Sequence, residues 1–200
     1  FRFLEIFMKK LFFSLRKTSA LFVLMLFSVL LFGCKPDAEP EVLPENVERL
    51  AADDPLIQDW FEPVYKQRTI ITRNSLTTKA APYFGPQTDE NGKIIFNDGY
   101  AGNDLCVLKL SESSGTIFIK YTRAADSNWN YTTDPTQAPD IGKWYAVSYT
   151  DFNSTNKIIK FSGAMGTKSS CDTLEDVVAE FTSAKGYFGT YDEYQLYFNE

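Results

Sequence analysis

The 200-residue chain has no histidine. That removes Ser-His-Asp and Cys-His catalysis and every histidine-based zinc or iron site. There is no G-x-S-x-G elbow, no phosphate-binding P-loop and no G-x-G-x-x-G turn. Adjacent carboxylates occur at Asp53-Asp54, in a stretch rich in proline and acid, where they read as solvated. Asp126-Ser127-Asn128-Trp129-Asn130 begins like a calcium loop. Its sixth place is Tyr131, where the turn needs glycine, and its twelfth is Gln137, where a bidentate carboxylate is needed. It reads as a polar loop. The expectation is therefore no catalytic residues, no metal and no cofactor, hence a protein that is not an enzyme. The residues left for chemistry are three cysteines and an unusual share of aromatic rings, 16% of the chain.

Cys34 stands in the most informative context. Arg2, Lys9, Lys10, Arg16 and Lys17 precede it, against a single acid, Glu5. Ser19 to Phe32 is then an almost unbroken apolar run, shorter than the ~20 residues a spanning helix needs. A basic head, a short apolar stretch and a small residue at the cut describe an export signal. Leu31-Phe32-Gly33-Cys34 looks like a bacterial lipobox, cut between Gly33 and Cys34 so that Cys34 carries the lipids. Residues 1–33 are thus read as a signal peptide, with 1–7 upstream of an initiator at Met8. After the cut the chain holds 15 basic and 25 acidic residues, a formal charge of −10. Such a chain is repelled by phosphates and by anionic lipid surfaces. Nucleic acid is excluded as a partner, and the membrane is reached through the acyl chains, two or more of which make a stable anchor. Lys35 is not the aspartate that retains lipoproteins in the inner membrane of enteric bacteria. The expected place is the cell envelope, at the outer membrane or cell surface rather than the inner membrane.

Cys106 and Cys171 remain. An even pair in an exported chain could form a disulfide. Cys106 also lies in the apolar run Leu105-Cys106-Val107, where a buried thiol fits equally well. Among the aromatics, Trp144, Tyr145 and Tyr149 fall in strand-like runs and read as core. Tyr83, Phe84, Tyr100, Trp129 and Tyr131 fall between such runs. Trp129, Tyr131, Tyr83 and Phe84 are the candidate contacts for a partner protein or a small apolar ligand.

These rings must be positioned by a β-rich domain. Residues 34–55 hold Pro36, Pro40, Pro44 and Pro55 with seven acids and read as an acylated tether. Asn46 to Ala52 could form a short helix capped by Asn46. Residues 56–200 form the domain. Strand-like runs occupy Tyr65 to Thr72, Gly92 to Asn97, Leu105 to Leu110, Thr116 to Thr122, Lys143 to Tyr149, Lys157 to Ser162 and Tyr187 to Phe198, with turn clusters between them. Leu174, Val177, Val178 and Phe181 repeat at i, i+3, i+4, i+7, which predicts a helix over 172–181 that ends towards Gly186. The pattern fits a barrel or a sandwich.

The span from Gly142 to Glu200 narrows this. GKWYAVSYTDF, KIIKFSGAMG, TLEDVVAEFT and GYFGTYDEY resemble a group of small treponemal lipoproteins with a lipocalin-like barrel. Trp60 also stands near the first strand, where lipocalins place a Gly-x-Trp, although Asp59 precedes it here. The resemblance implies a mainly β fold: an antiparallel up-and-down β-barrel of about seven or eight strands with one short helix before the last. It implies no activity. An envelope enzyme would need convergent carboxylates in a cleft, which spacing alone does not show. Two other functions stay open, a lipid-anchored, non-enzymatic binding or surface-interaction module and a structural or adhesive lipoprotein with a solid barrel core. A hollow or a filled interior separates them.

Overall fold

A computed structural model describes residues 42–82 and 85–197. The signal, the cut at Gly33-Cys34, most of the tether, Tyr83 and Phe84 lie outside the described residues. The strands are β1 (Val47–Glu48), β2 (Asp59–Glu62), β3 (Gln67–Ile71), β4 (Leu76–Ala80), β5 (Asn97–Ser111), β6 (Ser114–Ala125), β7 (Tyr131–Thr132), β8 (Trp144–Asn153), β9 (Ile158–Gly163) and β10 (Asp192–Leu196). One α-helix, α1 (Leu174–Glu180), and a 3-10 turn (Ser183–Lys185) precede β10.

Eight of the strands follow one another as an antiparallel meander, β2-β3-β4-β5-β6-β8-β9-β10. The last pairs with the first, Gln195 opposite Phe61 and Leu196 opposite Trp60. The sheet is thereby a closed up-and-down barrel, which removes the exposed strand edges that invite pairing with other chains. β1 and β7 are two-residue additions outside the ring, on β5 and β6.

The long hairpin β5–β6 makes closure possible. Its register slips between Asn103 and Cys106, with Asp104 in the left-handed region at φ 56°. Such bulges bend a strand and increase its twist. The first half of β5 then pairs with β4 and the second half reaches β1. Gly115 is required where β6 begins. A Cβ there would lie 2.5 Å from the Leu108 carbonyl oxygen and 2.6 Å from the Tyr149 hydroxyl.

Period-two alternation sorts the side chains. Trp60, Ile71, Leu76, Val107, Ile117 and Val147 face inward and are essentially inaccessible. The outer faces of β6 and β8 are buried as well, at Phe118, Trp144 and Ala146, where α1 packs. A strand buried on both faces loses its alternation and reads as a continuous apolar run, as Trp144 to Tyr149 does.

The two ends of the barrel differ. At one end the connections are tight: Thr72–Ser75, Glu112–Ser113 and Ser154–Lys157. The chain leading into β2 packs at this end. Leu50 and Leu56 are buried, and the Trp60 indole N–H donates to the Leu56 carbonyl at 3.1 Å. The Trp60 ring meets Phe161 and Phe152 edge-on. The other end carries the long connections 81–96, 126–143 and 164–191.

Several sequence expectations are corrected. The compact unit starts at Leu43, so the tether does not extend to residue 55. Val47 and Leu50 are its apolar anchors, and Lys109 clamps Glu48 and Asp54 at 2.8 and 3.0 Å. Asn46 does not cap a helix; it takes φ 64° in a turn that leads into β1. Gly92 to Phe96 is a loop stitched by a single bridge, Thr88 to Ile94, and Asn97 is the first residue of β5. Strands β2 and β4 were not legible; each is four or five residues and polar at half its positions. The final strand starts at Asp192, not Tyr187, since Tyr187 and Phe188 are spent on packing beneath α1. Among the described residues no helix is long and apolar enough to cross a membrane.

Candidate functional site

Tyr100, Tyr121 and Tyr145 belong to neighbouring strands and face inward near the end that carries the long connections. Tyr121 and Tyr145 stack with centroids 5.0 Å apart and planes inclined by 22°. Tyr100 meets Tyr145 edge-on at 5.5 Å and Tyr121 at 6.2 Å. Offset and edge-on pairs suit the ring quadrupole, so the trio forms a stiff partition. The Tyr145 hydroxyl donates to the Ala164 carbonyl at 3.1 Å. Gly163 leaves room for it, since a Cβ there would fall 2.6 Å from that oxygen.

Two cavities adjoin these rings and share Tyr100, Tyr145 and Met165 in their walls. The outer one, about 510 Å³, opens under the 126–131 and 164–169 loops. Besides the three tyrosines it is lined by Trp129, Tyr131, Met165, Asp126, Asp140 and Lys168. The inner one, about 430 Å³, sits in the upper barrel between Gln67, Thr69, Val147, Phe161, Asp192 and Tyr194. Below it the interior is filled by Trp60, Ile71, Leu76 and Ile117.

Trp129 and Tyr131, both singled out from the sequence, stand on the outer cavity. Trp129 is 83% exposed and takes φ 65°, unusual for a large side chain. Asp126 builds the turn that presents it: its carboxylate accepts from the amides of Asn128 at 2.8 Å and Asn130 at 2.9 Å. Those amide bonds, that of Asn130 foremost, hold the Asp126 carboxyl below its ordinary range. The loop that resembles a calcium site is closed on itself by its own backbone. Asp140 accepts from the Ser170 hydroxyl at 2.7 Å and lies 3.8 Å from the Lys143 ammonium.

The phenols of the site stay protonated at neutral pH. Burial pushes those of Tyr100 and Tyr121 well above the ordinary value, and Tyr131 and Tyr145 upward too. Tyr194, which donates to the Gln67 side chain at 3.3 Å, is pushed up to about 12, chiefly by burial. Such groups donate hydrogen bonds and offer π faces; they do not act as bases.

Cys106 and Cys171 are both buried, and no disulfide joins them to each other. Cys106 lies opposite Phe118 on β6, Phe118 opposite Ala146 on β8, and Cys171 bridges to Trp144 on the far side of β8. Three strand spacings separate them, roughly 14 Å at ~4.8 Å each, twice the reach of a disulfide. Cys171 instead pairs its backbone with Trp144, at 2.7 and 2.9 Å, and pins the start of the α1 connection to the wall. Among the described residues no group of three acidic or cysteine side chains converges as a metal site would.

The inner tyrosines escaped the sequence reading in different ways. Tyr100 read as a loop ring and is in strand β5, and Tyr145 read as core. The usable signal was alternation: Tyr121 and Tyr145 fall in phase with Ile119 and Val147 on their own strands. Comparison with protein families, with curated proteins and with solved structures finds no match for this chain.

Proposed function

We propose that this chain is a lipid-anchored lipoprotein of the cell envelope whose barrel binds a small, largely apolar molecule at its open end. The supporting observation is the uneven filling of the barrel. One end is packed solid around Trp60, whereas the other holds two adjoining cavities of about 510 and 430 Å³. The outer one is lined by Trp129, Tyr131 and Met165 beside Asp126 and Lys168, and Trp129 and Met165 are at least 80% exposed. Concave, mostly apolar sites with a few placed polar groups are the usual form of ligand pockets. A barrel that served only as a filled spacer would have no use for exposed rings around an empty mouth. The lipid anchor rests on the basic head, the short apolar run and Gly33-Cys34, and places the mouth outside the cytoplasm. The reading is a binding one, carried by the rings and not by a reacting group.

Titration with N-phenyl-1-naphthylamine, a neutral dye that brightens in apolar sites, tests the site on the compact unit that begins at Leu43. Saturable enhancement is expected, with affinity falling at least several-fold in a Trp129→Ala, Tyr131→Ala double variant. Enhancement that is absent, or equal in wild type and variant, would leave the mouth without a ligand role.

A further inference from the structure

The charges at the mouth are unevenly distributed. In the inner cavity Asp192 is the one formally charged lining group, and neither Lys nor Arg lines it. Asp192 sits on the inward face of β10, opposite Phe161. Among the described residues it makes no ion pair, unlike Asp59, Asp98 and Asp151, which do. Glu62 faces the same interior, buried, its carboxylate taken by the amides of Val64 and Tyr65 at 2.6 and 2.5 Å. The outer cavity adds Asp126 and Asp140, the latter 3.8 Å from the Lys143 ammonium, and one lining ammonium, Lys168, exposed on the rim. Between the carboxylates stand the tyrosine trio and Trp129, whose ring faces are electron-rich.

We infer, on the reading of the mouth as a ligand site, that it takes an organic cation: an amine or quaternary ammonium carried on an apolar or aromatic body. The cationic head lies beside Asp192 in the inner cavity, and the apolar body lies against Tyr100 and Tyr145, the rings that this cavity shares with the outer one. A cation over aromatic faces gains ~0.5–2 kcal/mol, more as water is excluded. An anionic head of the same size would meet the Asp192 carboxylate, and neither Lys nor Arg lines that cavity. The chain's overall formal charge of −6 adds a weak, salt-screened attraction in the same direction.

Three ligands with one ring system and different heads test this: 1-naphthylmethylammonium, 1-naphthylmethanol and 1-naphthylacetate. They are titrated calorimetrically at neutral pH into the full chain in a neutral detergent, with chain-free detergent subtracted. The ammonium is expected to bind roughly tenfold more tightly than the alcohol, and the acetate more weakly than either. Asp192→Asn should erase the preference for ammonium over alcohol, and Asp192→Glu should keep it. Equal binding of ammonium and alcohol, or tighter binding of the acetate, overturns the cation assignment and leaves the ligand site standing. A preference that survives Asp192→Asn overturns the role of Asp192. Failure of all three together with the neutral dye overturns the site itself.

Discussion

Eleven tyrosines fall in this chain, and several are built into the barrel wall. Tyr149 and Tyr194 show what that does to stability. Each is largely buried, and each phenol is pushed up from an ordinary 10.0 to about 12, burial being the first cause. A phenol that ionises less readily in the folded chain favours folding below the unfolded value near 10 and withdraws that support as pH rises towards 12. The other buried phenols, Tyr100, Tyr121 and Tyr145, act in the same sense. Alkaline titration is therefore expected to end in cooperative unfolding between pH 10 and 12, with tyrosinate absorbance rising in one step alongside loss of strand circular dichroism. Gradual, independent ionisation of all the tyrosines with the fold intact would show that the wall phenols are wetter than their packing indicates. Cys171 shows the complementary case: its thiol is pushed up by burial, so it is a poor nucleophile and a structural residue.

Helix α1 was legible from its spacing, yet its role belongs to its surroundings. Thr173 caps it, accepting from the Asp176 amide at 3.1 Å, and Glu175 and Asp176 sit in its first turn, where negative charge is favoured. Seven residues cannot hold a helix alone in water, so packing must. Leu174, Val177 and Phe181 are buried, and the Phe181 ring lies 4.6 Å from that of Tyr187 and 6.3 Å from that of Tyr145. The helix so braces the tyrosine partition. Its left-handed stop, Gly186 at φ 79°, closes the following 3-10 turn rather than the helix, which ends at Phe181. Phe181→Ala is expected to remove ~3–5 kcal/mol, lowering the melting temperature by roughly 10 °C for a domain of this size. Glu175→Ala, on the exposed face, should shift it little. Glu180 would be a poor comparison: its carboxylate takes the Tyr187 hydroxyl at 2.6 Å and the Lys185 ammonium at 2.9 Å. Thermal melts of the two variants decide whether the helix is docked, and equal shifts would mean that it is not.

At the scale of the molecule, a barrel solid at one end and hollow at the other is joined to a chain expected to begin, after processing, at Cys34. Mass spectrometry of protein from the native membrane should show an acylated N-terminal Cys34; an intact N-terminus at Met8 would remove the anchor. The sequence determined the class of fold, because β-branched and aromatic residues alternate wherever one face of a strand meets a core and the other meets water, as at the start of β9. It also determined the one helix, through a period that no strand can use. It marked Trp129 and Tyr131, which stand in polar surroundings where a large ring has no local reason to be. Closure of the ring, in contrast, rests on the pairing of β10 with β2, more than 130 residues apart, and on short polar strands whose pattern carries no signal. That Cys106 and Cys171 stand too far apart to join follows from strand order, which spacing along the chain does not encode. The cavities and the unpaired Asp192 are likewise tertiary facts. Whether an inward tyrosine is core or pocket wall depends on what stands opposite it across the barrel, and that is set by register between strands distant in the chain.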